Sequence, residues 1–154
     1  MKIDLITNNM KYAYEKACEA HLRDEVPVGA ILYDHEKDCI ISAHGNRVNE
    51  RNDVFAHAEM LVLQEACHKK QTLYLQNCSL FVTLEPCSLC ASAIAMARIK
   101  RLYFGAYDIK SGGVEHGAKV FSHKTCHHKV EVYGGIWEEK CAYLMKSFFE
   151  KKRS

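Results

Sequence analysis

Two short motifs hold the residues with the most chemistry to offer: His57-Ala58-Glu59 and, further along, Pro86-Cys87-Ser88-Leu89-Cys90. One imidazole and two thiols suit a zinc ion. Three protein ligands match a catalytic zinc, whose fourth tetrahedral position is left to water, whereas structural zinc sites are closed by four. Cys87 and Cys90 stand at i and i+3, so on a first helical turn they project from one side and can grip one ion. The partial positive charge of a helix N-terminus favours their thiolate forms. Zinc lowers the pKa of a bound water from about 15.7 toward about 7, which makes hydroxide available at neutral pH. Glu59 is not needed as a ligand, but from a first turn its carboxylate reaches a group above the helix end and can carry protons as a general acid and base. Taken singly, His57 reads more readily as a structural histidine, and Cys87-x-x-Cys90 as a redox pair or half of a closed zinc site. Together they point to a catalytic metal.

These motifs need two helix starts brought face to face. Asn8 is a candidate N-cap for a first helix ending near Leu22, because Met10, Ala13, Ala17 and Ala20 recur at helical spacing. Val26 to Tyr33 and Cys39 to Ile41, separated by a polar turn, read as an antiparallel hairpin. Asn46 to Asp53 reads as a loop, and a helix is expected from about His57 to Lys69. A strand at Leu80 to Leu84 runs into Pro86, which suits the first turn of a third helix over about Cys87 to Arg98. Arg101 to Gly105 resumes a strand, so strand, helix and strand follow at the length of a parallel crossover. Asp108 to Lys119, with Gly112, Gly113 and Gly117, is expected to be an irregular loop. Val130 to Tyr133 reads as a short strand and Ile136 to Lys152 as a final helix. With no linker or repeat, residues 1–154 read as one α/β domain with a mixed sheet.

At 154 residues, 48% hydrophobic and 26% charged, the composition is that of a globular chain and excludes a disordered or fibrous one. No apolar run approaches the roughly 20 residues of a membrane span, and residues 1–10 lack the apolar core of a signal peptide, so the expectation is a cytoplasmic protein without membrane contact. Eight cysteines without a leader read as free thiols plus a metal site and not as a disulfide framework. Cys18, Cys39, Cys67, Cys78 and Cys141 lie in apolar stretches and are expected to be small buried hydrophobes. Cys126, beside His123, His127 and His128, is expected in a solvated loop, since the irregular spacing argues against a second ion. A net charge of +2 with a pI near 8.1 permits an anionic partner without demanding one. Near the C-terminus, Lys146, Lys151, Lys152 and Arg153 surround Phe148 and Phe149; such phenylalanines serve either as core or as a stacking surface beside phosphate-binding lysines.

With these residues in view, the chain resembles the bacterial tRNA-specific adenosine deaminases of the cytidine deaminase-like superfamily. Besides the metal motifs, the resemblance rests on Glu25-Val26-Pro27-Val28-Gly29-Ala30, Asn46-Arg47, Asp53, Ala56, Thr83-Leu84-Glu85, Phe104-Gly105-Ala106, Asp108 and Phe148-Phe149. It implies a three-layer α/β/α sandwich around a mixed five-stranded sheet, a homodimer, and one zinc ion per subunit on His57, Cys87 and Cys90. The implied reaction converts adenosine to inosine at the wobble position of a tRNA anticodon stem-loop, with Glu59 as proton carrier. By the same resemblance Asn46 contacts the flipped adenine, Val26 walls the base pocket, Asp108 meets a neighbouring nucleotide, and Phe149 offers surface to the RNA. Asn46 remains open as a loop-capping residue.

The chain departs from the family pattern at Val54-Phe55, where Pro-Thr is usual, at Glu150, usually basic, and in a slightly long turn from Asp34 to Asp38. These departures touch substrate approach and not the metal or proton positions. Two other functions compete: a zinc deaminase of a free base or nucleoside such as guanine or cytosine, and a catalytically silent zinc-stabilised RNA-binding subunit. Glu59 argues against the second, which has no use for a proton carrier.

Overall fold

A computed structural model describes residues 2–153. The elements follow as α1 (Ile3–Leu22), β1 (Gly29–Asp34), β2 (Cys39–Gly45), α2 (Val48–Arg51), α3 (Ala58–Lys70), β3 (Cys78–Leu84), α4 (Ser88–Met96), β4 (Arg101–Ala106), β5 (Glu131–Tyr133) and α5 (Glu138–Arg153). The strands form one sheet in the order β2-β1-β3-β4-β5. β1 runs antiparallel to β2 and to β3, while β3, β4 and β5 run parallel to one another. The sheet is therefore mixed, and β3-α4-β4 is the parallel crossover its length foretold.

Side chains alternate across the sheet with the two-residue period of a strand. Ala30, Leu32, Leu80, Val82, Leu102 and Phe104 face one side, where Val62 and Ala66 of α3 and Ala91 and Ile94 of α4 cover them. Ile31, Tyr33, Phe81 and Tyr103 face the other, against Met10 and Ala13 of α1 and the approach to α5 at Ile136 and Trp137. Helices on both faces explain why β1 and all but the last residue of β3 are buried, and give the three layers expected. On the α1 side, Phe81, Tyr103 and Tyr133 stack across β3, β4 and β5 with centroids 4.5 and 5.0 Å apart.

The first helix begins a turn and a half before Asn8. Leu5 and Ile6 pack on the same cluster as Met10, so tertiary burial extends the apolar stripe past the expected cap and leaves Asn8 and Asn9 inside the helix. The first strand starts at Gly29 and not Val26, because Val26 to Val28 turn toward the cleft described below. Residues 46–53 contain the single helical turn α2, which the sequence showed only as loop. Pro86 precedes the N-cap of α4 instead of entering the helix, which ends at Met96 before Arg98 turns left-handed at φ 60°. At the other end, Gly135 and Trp137, with φ 84° and 60°, delay α5 to Glu138. Among the five cysteines expected to be buried, Cys78 and Cys141 are, Cys18 and Cys67 are half-buried, and Cys39 is exposed because it opens an edge strand at the hairpin turn. Among the described residues no helix is long and apolar enough to cross a membrane.

α1 lies unusually close to the sheet. Gly29 and Gly45 are register partners on β1 and β2, and a Cβ on Gly29 would sit 2.0 Å from the Ala13 carbonyl oxygen and 2.4 Å from the Ala17 nitrogen. One on Gly45 would sit 2.5 Å from the Lys16 oxygen. Helix backbone rests directly on strand backbone there, and Ala13, Ala17 and Ala20 are small enough to let it. Gly29→Ala is expected to lower the unfolding free energy by about 2–3 kcal/mol, since backbone atoms cannot move aside as side chains do. A urea titration would show this as a lower midpoint at unchanged slope; an unshifted midpoint would contradict this seating of α1.

Candidate active site

His57 is the N-cap of α3 and Cys87 the N-cap of α4, both with extended backbone (φ −70°, ψ 148° and φ −70°, ψ 175°). An N-cap side chain ordinarily accepts a hydrogen bond from its own helix. Neither of these does, so neither the imidazole nor the thiol is spent on capping its own helix. Cys90, on the first turn of α4, is fully buried. The His57 Nδ1 atom lies 3.7 Å from the Cys87 sulfur and 3.4 Å from the Cys90 sulfur, and the three donor atoms lie within 4.8 Å of one another. Tetrahedral zinc with bonds of about 2.0–2.1 Å to nitrogen and 2.3 Å to sulfur has ligand-to-ligand edges of about 3.5–3.8 Å, so the donor set and its spacing fit the ion. No other His/Cys/Asp/Glu group among the described residues is so arranged. Two of the three histidines around Cys126 are spent elsewhere: His123 and His128 bond the Ala118 and Ile99 carbonyls.

Proton positions in this cluster are strongly coupled. The hydrogen bond from Cys90 pulls the Cys87 thiol down to about 4 against the cost of burial, with His57 assisting. The same bond, together with burial, pushes Cys90 up. His57 is raised mainly by its bond with Cys87, and the Val54 carbonyl also bonds its ring, which orients the imidazole. Glu59, 4% exposed, is pushed up to about 7 by burial, the Cys87 charge adding to it. A divalent cation between the three ligands acts in the opposite sense and favours the thiolates and the carboxylate.

The cluster opens onto a cleft of about 320 Å³ lined by Val26, Asn46, His57, Glu59, Cys87 and Asp108, among others. Its walls share one end of the sheet. Val28 precedes β1, Asn46 follows β2, Glu85 follows β3 and Asp108 lies two residues beyond β4. Asn46 is 7% exposed, and its side-chain Oδ1 has no hydrogen-bond partner among the described residues. A buried acceptor left unpaired costs about 1–3 kcal/mol, so this atom is an unfavourable point in the cleft wall. Its backbone meanwhile is fixed, the N–H donating to Val28 and the carbonyl accepting from Arg23. Asp108 accepts a 2.9 Å bond from the Ser111 amide, which shapes the cleft rim.

Phe149 is not brought to this cleft. It lies 41% exposed on α5, its ring edge-on to Phe148 at 5.2 Å, while Phe148 is buried against His21 of α1. Lys152 pairs with Asp24 at 2.6 Å, so α5 is docked along α1 and Phe148 belongs to the core. Two buried glutamates had no role assigned from sequence. Glu25 accepts the Asn49 and Glu50 amides at 3.0 and 2.7 Å and so caps α2, and Glu85 bonds the loop beyond β4. The available signal was an acid inside an apolar run, as in Thr83-Leu84-Glu85-Pro86, because a buried carboxylate must find donors.

The sequence profile of the MafB19-like deaminases matches residues 6–153. A tRNA-specific adenosine deaminase of Agrobacterium fabrum is 47% identical over 147 residues, 96% of this chain and 95% of that protein. The Bacillus subtilis protein of the same name is 38% identical over 144 residues, 94% of this chain and 88% of its own. A structure solved in a study of A-to-I editing by tRNA:A34 deaminases superposes with a TM-score of 0.86 at 47% identity, covering 90% of this chain and 99% of that one. A guanine deaminase from Nitrosomonas europaea shares the fold, with a TM-score of 0.80 at 22% identity over 92% of this chain and 83% of its own. Sequence and fold agree that the chain belongs to the MafB19-like deaminases and, among them, to the tRNA-specific adenosine deaminases.

Proposed function

We propose that this chain is a single deaminase domain that converts adenosine to inosine at the wobble position of a tRNA anticodon, in the cytoplasm, with one zinc ion per subunit. The observation that carries the chemistry is the His57, Cys87 and Cys90 cluster with Glu59 beside it, opening onto a cleft. The relatives' names carry the substrate. Zinc held by the three ligands, when bound, supplies the charge that makes hydroxide available from water near neutral pH.

Glu59 takes the proton that this water gives up. As the C6–oxygen bond forms it passes that proton to the neighbouring ring nitrogen; it then takes the second proton, from the hydroxyl now on C6, and gives it to the amine as the C6–nitrogen bond breaks, so water and adenosine become inosine and ammonia. Its burial keeps bulk water from short-circuiting those transfers. Asn46, which lines the cleft, supplies a side-chain amide beside the base, and Val26 and Val28 supply the apolar wall against which the ring lies. Asp108 stands where a nucleotide next to the target passes. The exposed position of Phe149 on α5 leaves it available to the stem at a distance from the base.

A homodimer is supported by an apolar groove of about 810 Å³ along α3 and α4. Leu73 and Met96, 80% and 75% exposed, flank it. Exposed apolar surface of that kind marks a contact face, and a second copy is the occupant we assign.

Glu59→Ala is expected to keep its zinc and lose about 10²- to 10⁴-fold in turnover, read by metal analysis alongside the rate. Undiminished turnover would remove Glu59 from the mechanism. Zinc retention should fall as pH drops, because protons compete for both sulfurs and the imidazole; metal content after dialysis over a pH series checks this, and a flat profile would contradict thiolate ligation. The substrate is tested with an anticodon stem-loop carrying adenosine against free adenine, guanine and cytosine. Turnover confined to the stem-loop is the expected result, and turnover of free bases alone would overturn the tRNA assignment.

A further inference from the structure

Glu85 stands two residues before the ligand Cys87, lines the cleft and is 2% exposed, and its carboxylate is bonded to the loop after β4. Its Oε1 accepts the Asp108 amide at 3.1 Å and the His116 Nδ1 at 2.8 Å. Its Oε2 accepts the amides of Val114, Glu115 and His116 at 3.2, 2.9 and 3.0 Å. A carboxylate offers about four lone-pair sites, so these donors leave Glu85 no capacity to bind metal or carry a substrate proton.

The loop is fitted around this one group. A Cβ on Gly112 would come 2.5 Å from Oε2, and one on Gly113 would come 2.5 Å from the Ser88 nitrogen, so glycine alone lets the chain wrap the carboxylate and rest on the start of α4. Gly113 donates to the Pro86 carbonyl at 2.8 Å, and Glu85 itself donates its backbone N–H to Ala106 at 2.8 Å. Asp108 and Ser111, which form one wall of the cleft, are the outer face of the same loop.

We infer that Glu85 is a positioning residue: through its bonds to residues 108–116 it holds the Asp108–Ser111 wall against the helix that carries Cys87 and Cys90, and so sets how substrate is bound without taking part in the chemistry. This rests on the reading of the cleft as the substrate site. Its loss should therefore separate binding from catalysis.

The test combines kinetics with amide exchange on the intact protein. Glu85→Gln offers its amide N–H₂ where acceptors are needed. It is expected to raise KM for the anticodon stem-loop about tenfold while leaving zinc content unchanged and the single-turnover rate at saturation within about twofold. Exchange should quicken in residues 108–117 and not in α3 or α4. His116→Ala, which removes one partly exposed donor and so spares the fold, should shift KM and exchange in the same direction by less. A fall in the saturated rate at unchanged KM, loss of zinc, or unaltered exchange at 108–117 in either variant would overturn the assignment. If the wild type does not turn over the stem-loop, the functional reading fails, and exchange in the two variants still decides whether Glu85 holds the loop.

Discussion

Two helices must begin at one point above the sheet, and most of the structure serves that requirement. The His57 ring nitrogen comes within 3.7 Å of both sulfurs only because α3 and α4 share a face and start from the same end of the sheet. That end is set by pairing: β1 antiparallel to β3 puts its beginning beside the end of β3, and the parallel β3–β4 pair puts the end of β4 there as well. The strands β1 to β4 each adjoin a short segment that lines the same cleft. Helix N-termini add partial positive charge where thiolates are wanted, so topology and electrostatics agree at the site.

Three buried glutamates show how environment divides one residue type among different tasks. Glu25 and Glu85 are surrounded by amides and spend their oxygens on backbone, one capping α2 and the other gathering the loop after β4. Glu59 is as deeply buried, and burial with the nearby Cys87 charge raises it to about 7 in the metal-free cluster, a shift that a bound cation opposes. A carboxylate saturated with donors holds a shape; one short of them can exchange a proton.

The local parts of this arrangement were legible in the chain. Cys87-x-x-Cys90 is spaced by helical geometry, and the nearly continuous apolar run from Leu80 to Leu84 marks a buried strand, so the His/Cys/Cys cluster, the crossover and a mixed sheet could be read from the residues, while the three layers came from the family resemblance. What escaped depends on distant contacts. The start of α1 at Ile3 follows from Leu5 and Ile6 finding the sheet, and Cys39 is exposed because its strand lies at the edge. The segment beyond Asp108 was read as irregular from its glycines, and it has no regular structure; its order comes from a carboxylate more than twenty residues earlier, which no local pattern reveals. Phe148 and Phe149 are adjacent in sequence but divided by the helix, one into the core and one outward.

X-ray absorption at the zinc edge of the metal-loaded protein tests the central claim most directly, since it counts ligands without reference to activity. The structure predicts two sulfur scatterers at about 2.3 Å and two lighter ones at about 2.0–2.1 Å, one an imidazole and one from solvent. A shell of four protein ligands, or one lacking sulfur, would contradict an open site on His57, Cys87 and Cys90.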